Sequence, residues 1–287
     1  RGNQNIDTAS LSDPVLIRGD GVCLYTLASV IDDIDMGITH ILRGEDHVAN
    51  TGVQLEIFDA LGGKRPECGH HNLLVGKEGE ALSKRLKSLS IRDLRALELE
   101  PLSVISLSAT IGSSNPVKPY ASLDAVFEDF DLSKLSRAAA RFDPDELKPI
   151  NAKLLHDMSF DDVENRLKSI NIEGEFAQNI WNACKSNVEI FSDINIWAEI
   201  AKGNATPVIA AEDEEFIATA LKLLPTGDYD ENSWGQWTNA IKQATGRKGK
   251  TLFRPLRLAL TGLAFGAELK TLFPIIGEAH AKAYLSV

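Results

Sequence analysis

The sequence predicts a mixed α/β segment built on a parallel sheet over about the first 88 residues, followed by an all-α remainder. Three observations predict it. Residues 38–76 alternate strand-like and helix-like patterns, the order that yields parallel strands with crossover helices. A Gly/Glu-rich loop runs directly into four bases, in "GKEGEALSKRLKSLS" (76–90) and Arg92. Beyond Pro101 the apolar residues recur at helical spacing, with few strand signals.

Taken in order, residues 21–43 hold two short β-like runs, Leu24–Ile31 and Ile38–Leu42, separated by the acidic turn Asp32–Asp35 and Gly37. After "GED", the segment "NTGVQLEIFDALGG" places Val53, Ile57, Phe58 and Leu61 on one helical face, and Gly62 suits its C-terminal stop. "HNLLVG" (71–76) reads as a further buried strand. Ser90 with Asp93 three residues on makes a capping box for "IRDLRALELE". "PLSVISLSATIG" is an apolar helix ended by Gly112, and "SSNPVKP" is a linker. "FDPDELKPINAKLLHDMSFDDVENRLKSI" supplies two amphipathic helices with Pro144 and Asp161 near their starts, and helical patterns continue to the end.

Composition narrows the function classes. With 287 residues and 44% apolar content, the chain has enough material for two or three domains with real cores. A net charge of −11 argues against coating nucleic acid by bulk electrostatics, although the acid-free stretch "KQATGRKGKTLFRPLR" (242–257) concentrates six bases. No run approaches the roughly 18 to 20 apolar residues of a membrane span, so no membrane contact is expected. Cys23, Cys68 and Cys184 are too scattered for a disulfide framework or a paired zinc motif, which fits a reducing cytoplasm and no resident metal. The opening "RGNQNIDTASLSDP" has no apolar signal core and no initiator Met, and it reads as the middle of a longer chain.

Two segments carry chemistry. "HILRGEDH" delivers Arg43, two carboxylates and His47 to the C-terminal end of a strand, where open α/β sheets bind ligands. In the loop 76–85, Gly76 and Gly79 allow close backbone approach, and the ammonium of Lys84 suits phosphate oxygens that gain charge. Competing motifs are weaker. "ATGRKGKT" (244–251) has Ala where a P-loop needs Gly and follows a helical run. "CGHH" (68–71) crowds its ligands too closely for zinc and reads as a surface turn. Trp181, Trp197, Trp234 and Trp237 read as core packing rather than base stacking, because Trp181 and Trp197 fall in strongly periodic apolar stretches.

These segments, "YTLASVIDDIDMGITHILRGEDHVANTGVQ", "EALSKR", "RFDPDELKPINAKLLH" and "GKTLFRPLRLALTG", resemble in order the bacterial glutamyl-tRNA synthetases, class I enzymes, over nearly the whole chain. The resemblance implies the C-terminal half of a Rossmann-type class I catalytic domain (1–88), a helical stem-contact region (89–155) and an all-α anticodon-binding domain (156–287). It implies ligation of L-glutamate to tRNA(Glu) through a glutamyl-adenylate, with ATP and Mg²⁺ and with tRNA(Gln) as a second candidate, in an enzyme monomeric when intact.

By the same resemblance, "ALSKR" matches the KMSKS-type loop, so Lys84 is the catalytic cation, with Ser83 and Arg85 beside ATP. Asp46 and His47 match positions near the nucleotide, and Leu73 and Leu74 offer backbone groups to adenine. Tyr25, Ser29 and Arg43 match the glutamate pocket, where a fixed guanidinium suits bidentate recognition of a carboxylate. Arg247, Lys248, Lys250 and Arg254 are expected against RNA phosphates. Two positions depart from the pattern: Ala81 replaces the first lysine of the loop, and Ser29 stands where members often have asparagine. The family's His-x-Gly-His signature does not occur in the sequence, so this chain alone is expected to be inactive. The competing expectation is a truncated, non-catalytic module that binds tRNA or a partner.

Overall fold

The computed structural model describes residues 4–80 and 90–286. Contacts divide the chain into two compact units. The first comprises Arg1–Lys87, Ile105–Lys118 and Ser122–Pro144; the second comprises Ser88–Val104, Pro119–Ala121 and Asp145–Val287.

In the first unit, helix α1 (Tyr25–Asp35) precedes strand β1 (His40–Gly44). The run Leu24–Ile31, expected to be β-like, is therefore helical. Its apolar side chains Leu27, Val30 and Ile34 recur every three to four residues, and Val30 is fully buried, so the helical period prevails over the local β-branched content. A short 3-10 turn, Glu45–His47, leads into α2 (Val48–Ala60), which crosses over to β2 (Glu67–His71). β1 and β2 pair in parallel, with His40 opposite Glu67 and Gly44 opposite His71.

"CGHH" is thus most of a strand, not a surface turn, and the strand expected over 71–76 begins only at Leu74. β3 (Leu74–Gly76) pairs in parallel with β4 in a second two-stranded sheet, Leu74 facing Ala140 and Gly76 facing Phe142. After α3 (Ile91–Ala96), α4 (Pro101–Thr110) and α5 (Leu123–Asp129), β4 (Ala140–Phe142) lies in a segment whose pattern shows no strand. Three residues are too few to display a period of two.

Asn72 secures this second sheet. Its side-chain amide donates to the Ala138 carbonyl at 2.8 Å and to that of Gly112 at 3.4 Å. Gly112 has φ of +69°, and a Cβ there would stand 2.5 Å from Asn72 Nδ2 and 2.7 Å from Ala140 Cβ. Only glycine meets both demands.

In the second unit the Ser90–Asp93 capping box forms as expected, each residue's side chain taking a backbone N–H of the other. The remaining helices are α6 (Leu147–Asp157), α7 (Phe160–Ser169), α8 (Gly174–Cys184), α9 (Ile194–Ala201), α10 (Glu214–Lys222), α11 (Ser233–Thr245), α12 (Lys250–Thr261) and α13 (Leu269–Leu285), the last kinked at Gly277. Their apolar faces converge on a core in which Trp181, Trp237, Leu167, Ile180 and Phe273 are fully buried. Trp237 stacks on Phe273 with ring centroids 5.0 Å apart and donates its indole N–H to the Ala220 carbonyl at 3.0 Å. Burial of each such side chain stabilises by about 1.5 to 3 kcal/mol, so the aromatic residues are structural. No described helix is long and apolar enough to cross a membrane.

Candidate functional site

At the C-terminal end of β1, Arg43 sits half-buried beneath the first turns of two helices. α1 contributes Tyr25, whose hydroxyl accepts a hydrogen bond from Arg43 Nη1 at 3.0 Å. α2 contributes Thr51 and Gln54, spaced three apart and so on one helical face. Both are only 5% exposed. Arg43 Nη2 donates to Thr51 Oγ1 at 2.6 Å and to Gln54 Oε1 at 2.7 Å. β2 contributes His70, whose Nε2 lies 2.9 Å from Thr51 Oγ1. Ser29 closes the ring: it receives the Gln54 amide N–H at 2.8 Å and donates its hydroxyl to the Tyr25 carbonyl at 2.7 Å.

Helical geometry explains why α2 serves this site. Its buried stripe is Thr51, Gln54 and Phe58, polar toward the strand end and apolar beyond, while Leu61 of the expected apolar face is exposed. Thr51, Gln54 and His70 escape a reading based on apolar periodicity, because they are buried polar groups whose partners come from other elements. Their only trace in the sequence is two amide- or hydroxyl-bearing residues at i and i+3 inside an apolar helix.

The electrostatics favour an anion. Arg43 is a fixed cation whose Nε is buried without a partner among the described residues. His47 packs its ring against Tyr25, with centroids 5.7 Å apart, and carries a buried Nδ1 likewise unpartnered. Asp46 is more exposed and lies 3.7 Å from His47 Nε2. Nearby, burial pushes the Asp33 carboxyl up against the opposing pull of Arg43, and burial also pushes the Cys68 thiol up.

A cleft of about 610 Å³ adjoins this end of the strands, lined by Leu42, His70, Leu73, Leu74, Phe130 and Arg137 among others. Leu73 and Leu74 therefore line this cleft. The Leu73 carbonyl is occupied by the Ala140 N–H at 2.8 Å. Ala81, Ser83, Lys84 and Arg85 lie outside the described residues.

The second unit brings together Arg247, Lys248, Lys250 and Arg254 around a cleft of about 870 Å³ at the start of α12. They are not equivalent. Arg247 pairs with Asp213, lies 4.2 Å over the Phe216 ring and reaches the Glu212 carbonyl at 3.4 Å. Lys248, Lys250 and Arg254 are exposed. Three cations at one helix start, beside a cleft, suit polyanion phosphates.

Comparison with known proteins covers both units. The family described as tRNA synthetases class I (E and Q), catalytic domain, matches residues 1–149, and an anticodon-binding domain family matches residues 152–285. A protein of Maricaulis maris named glutamate–tRNA ligase 1 is 53% identical over 279 residues, 97% of this chain and 62% of that protein. Its namesake in Brucella ovis is 48% identical over 285 residues, 99% of this chain and again 62% of the relative. A glutamate tRNA ligase of Elizabethkingia meningosepticum, solved in complex with its amino acid, superposes with a TM-score of 0.80 at 25% identity, covering 98% of this chain and 62% of its own. The glutamate–tRNA synthetase of Elizabethkingia anophelis superposes with a TM-score of 0.81 at 24% identity. The chain thus spans about 62% of the length of the relatives it matches.

Proposed function

Since the chain belongs to the class I tRNA synthetase family of E and Q type, we propose that it serves the ATP-dependent joining of L-glutamate to tRNA(Glu). Its fold is a Rossmann-like half with small parallel sheets and a helical anticodon-binding domain. The observation that carries the reading is the fixed Arg43 guanidinium with the Tyr25 hydroxyl beside it, at a strand's C-terminal end, where open α/β sheets bind ligands.

In the proposed reaction the α-carboxylate of glutamate attacks the α-phosphate of ATP. A P–O bond forms as the bond to pyrophosphate breaks. A ribose hydroxyl of the tRNA end then attacks the activated carbonyl, and AMP leaves. The attacking carboxylate must keep its lone pairs available, so Arg43 and Tyr25 are assigned to the side-chain carboxylate of glutamate, and Ser29 to its pocket. Asp46 and His47 stand toward the nucleotide, and Leu73 and Leu74 toward adenine. Lys84 is assigned to the charge gained by the leaving pyrophosphate, with Ser83 and Arg85 supporting it; these three rest on the resemblance of "ALSKR" alone.

Among the described residues no group of three or more His, Cys, Asp or Glu could hold a metal ion. Mg²⁺ is accordingly proposed as a companion of ATP, held chiefly by phosphate oxygens and water, and no step is routed through it. Residues 1–88, 89–155 and 156–287 are proposed as catalytic, stem-contact and anticodon-binding parts of a cytoplasmic monomer, and Lys248, Lys250 and Arg254 as contacts to tRNA phosphates. Whether tRNA(Gln) is also charged is tested by the same assay with that tRNA.

The deciding experiment is glutamate-dependent exchange of pyrophosphate into ATP by the full-length protein with tRNA(Glu). Exchange with L-glutamate that falls by about 10²- to 10³-fold in Lys84→Ala supports the reading, this being the loss expected for one charge-stabilising donor. Exchange with another amino acid but not with glutamate overturns it.

A further inference from the structure

We infer that Gln54 is the positioning residue that decides how Arg43 meets a carboxylate, through a proton-ordered relay from Arg43 to Ser29. The inference rests on the reading of Arg43 as the glutamate-binding cation. Gln54 is 5% exposed and makes two contacts, Oε1 with Arg43 Nη2 at 2.7 Å and Nε2 with Ser29 Oγ at 2.8 Å. A guanidinium only donates, so the amide oxygen must face Arg43 and the NH₂ must face Ser29. The Ser29 hydroxyl then accepts from Gln54, and its single proton goes to the Tyr25 carbonyl at 2.7 Å. The donor and acceptor order from Arg43 through Gln54 to Ser29 is thereby fixed.

The consequence falls on Arg43. Its two forks for bidentate binding are Nη1 with Nη2, and Nε with Nη2; both need a proton on Nη2. Thr51 and Gln54 take both Nη2 protons, and Nε is buried. Two donors remain on the open side, the second Nη1 proton and the Tyr25 hydroxyl proton, since the Tyr25 oxygen already accepts from Nη1. A carboxylate is therefore gripped by one proton from each of two residues, at a position set by Gln54.

Replacing Gln54 by Met keeps the side chain's length and removes both hydrogen bonds. In the exchange assay with full-length protein and tRNA(Glu), Gln54→Met is expected to raise KM for L-glutamate by about 10- to 100-fold, the range for losing hydrogen bonds to a charged group. The KM for ATP should stay within about twofold, since the relay does not reach the nucleotide cleft. Ser29→Ala should raise the glutamate KM by a few-fold, and the double variant should be no worse than Gln54→Met, because both interrupt one relay. The proposal is overturned by an unchanged glutamate KM in Gln54→Met, by an equal rise in both KM values, or by additive effects in the double variant. If Gln54→Met does not fold, Ser29→Ala decides alone, and an unchanged glutamate KM in it sinks the relay.

A wild-type protein that activates no glutamate would defeat the functional reading rather than the relay. The relay is then read from proton exchange of the Arg43 guanidinium by NMR, which Gln54→Met should accelerate. Equal exchange in the two proteins removes the proposal.

Discussion

The guanidinium of Arg247 lies 4.2 Å above the centre of the Phe216 ring while it pairs with Asp213. These contacts draw on α10, its preceding turn and the α11–α12 junction, and they make Arg247 a brace for the cationic cleft. Its neighbours Lys248 and Lys250 are free to meet an outside anion. Replacing Lys248 and Lys250 together by Ala should flatten the plot of log K for tRNA against log salt by about 1 to 2 units, since each lost phosphate contact removes about 0.7 to 0.9. Arg247→Ala should instead lower the helical unit's stability by about 1 to 2 kcal/mol in urea unfolding, having lost a stacked and paired cation. A double lysine variant with the parental salt slope would remove those residues from the RNA contact.

At the anion site, Tyr25→Phe deletes one of the two donors that face the ligand while leaving the ring against His47. The KM for L-glutamate should rise about tenfold, the scale of one hydrogen bond to a charged partner, with little change in the KM for ATP. Steady-state exchange at varied glutamate and varied ATP checks it. A rise confined to ATP would assign Tyr25 to the nucleotide.

Asn151 is fully buried in the second unit and joins two backbone segments: its Oδ1 accepts the Glu100 N–H at 2.6 Å and its Nδ2 donates to the Glu189 carbonyl at 2.7 Å. Asn151→Ala takes this partner from the Glu100 N–H and the Glu189 carbonyl, both in partly buried hydrogen bonds. The expected loss is about 1 to 3 kcal/mol, read from urea midpoints by far-ultraviolet circular dichroism. A loss below about 1 kcal/mol would mean that water replaces the amide.

The thiol of Cys184 is fully buried, and burial pushes its pKa up to about 12 from an ordinary value of 9.0. The unfolded chain therefore ionises first as pH rises, so stability present below pH 9.0 is lost between 9.0 and about 12. The slope is at most about 1.4 kcal/mol per pH unit in that window. Tyr229, raised to about 12 by burial and by Glu278, acts in the same direction. Unfolding at pH 8 and pH 10 should show the decline, and Cys184→Ala should make it shallower. A variant with an unchanged decline would assign the effect elsewhere.

Periodicity and punctuation alone determined much of this molecule. The helical half, the capping box at Ser90 and the glycine stop after α2 follow from local pattern, because each is specified within a few residues of itself; the parallel arrangement follows from the order of strand-like and helix-like patterns over 38–76. Arg43 was legible as a candidate site residue through chemistry placed at a strand end, and Tyr25 through resemblance alone.

Only the tertiary structure decided the rest. Leu24–Ile31 became a helix because Leu27 and Val30, three apart, pack on one helical face where a strand would have split them between two, and Val30 is fully buried. β4 exists because Asn72 and Gly112 hold a three-residue segment beside Leu74, and "CGHH" became a strand through pairing with β1. The division of the four C-terminal cations into one brace and three exposed charges depends on Asp213 and Phe216, more than thirty residues away. Gln54 and Thr51 leave only a faint trace in the sequence, their i and i+3 spacing inside an apolar helix: a buried amide acquires its role from the donors and acceptors that other elements bring to it, and only the folded chain brings them together.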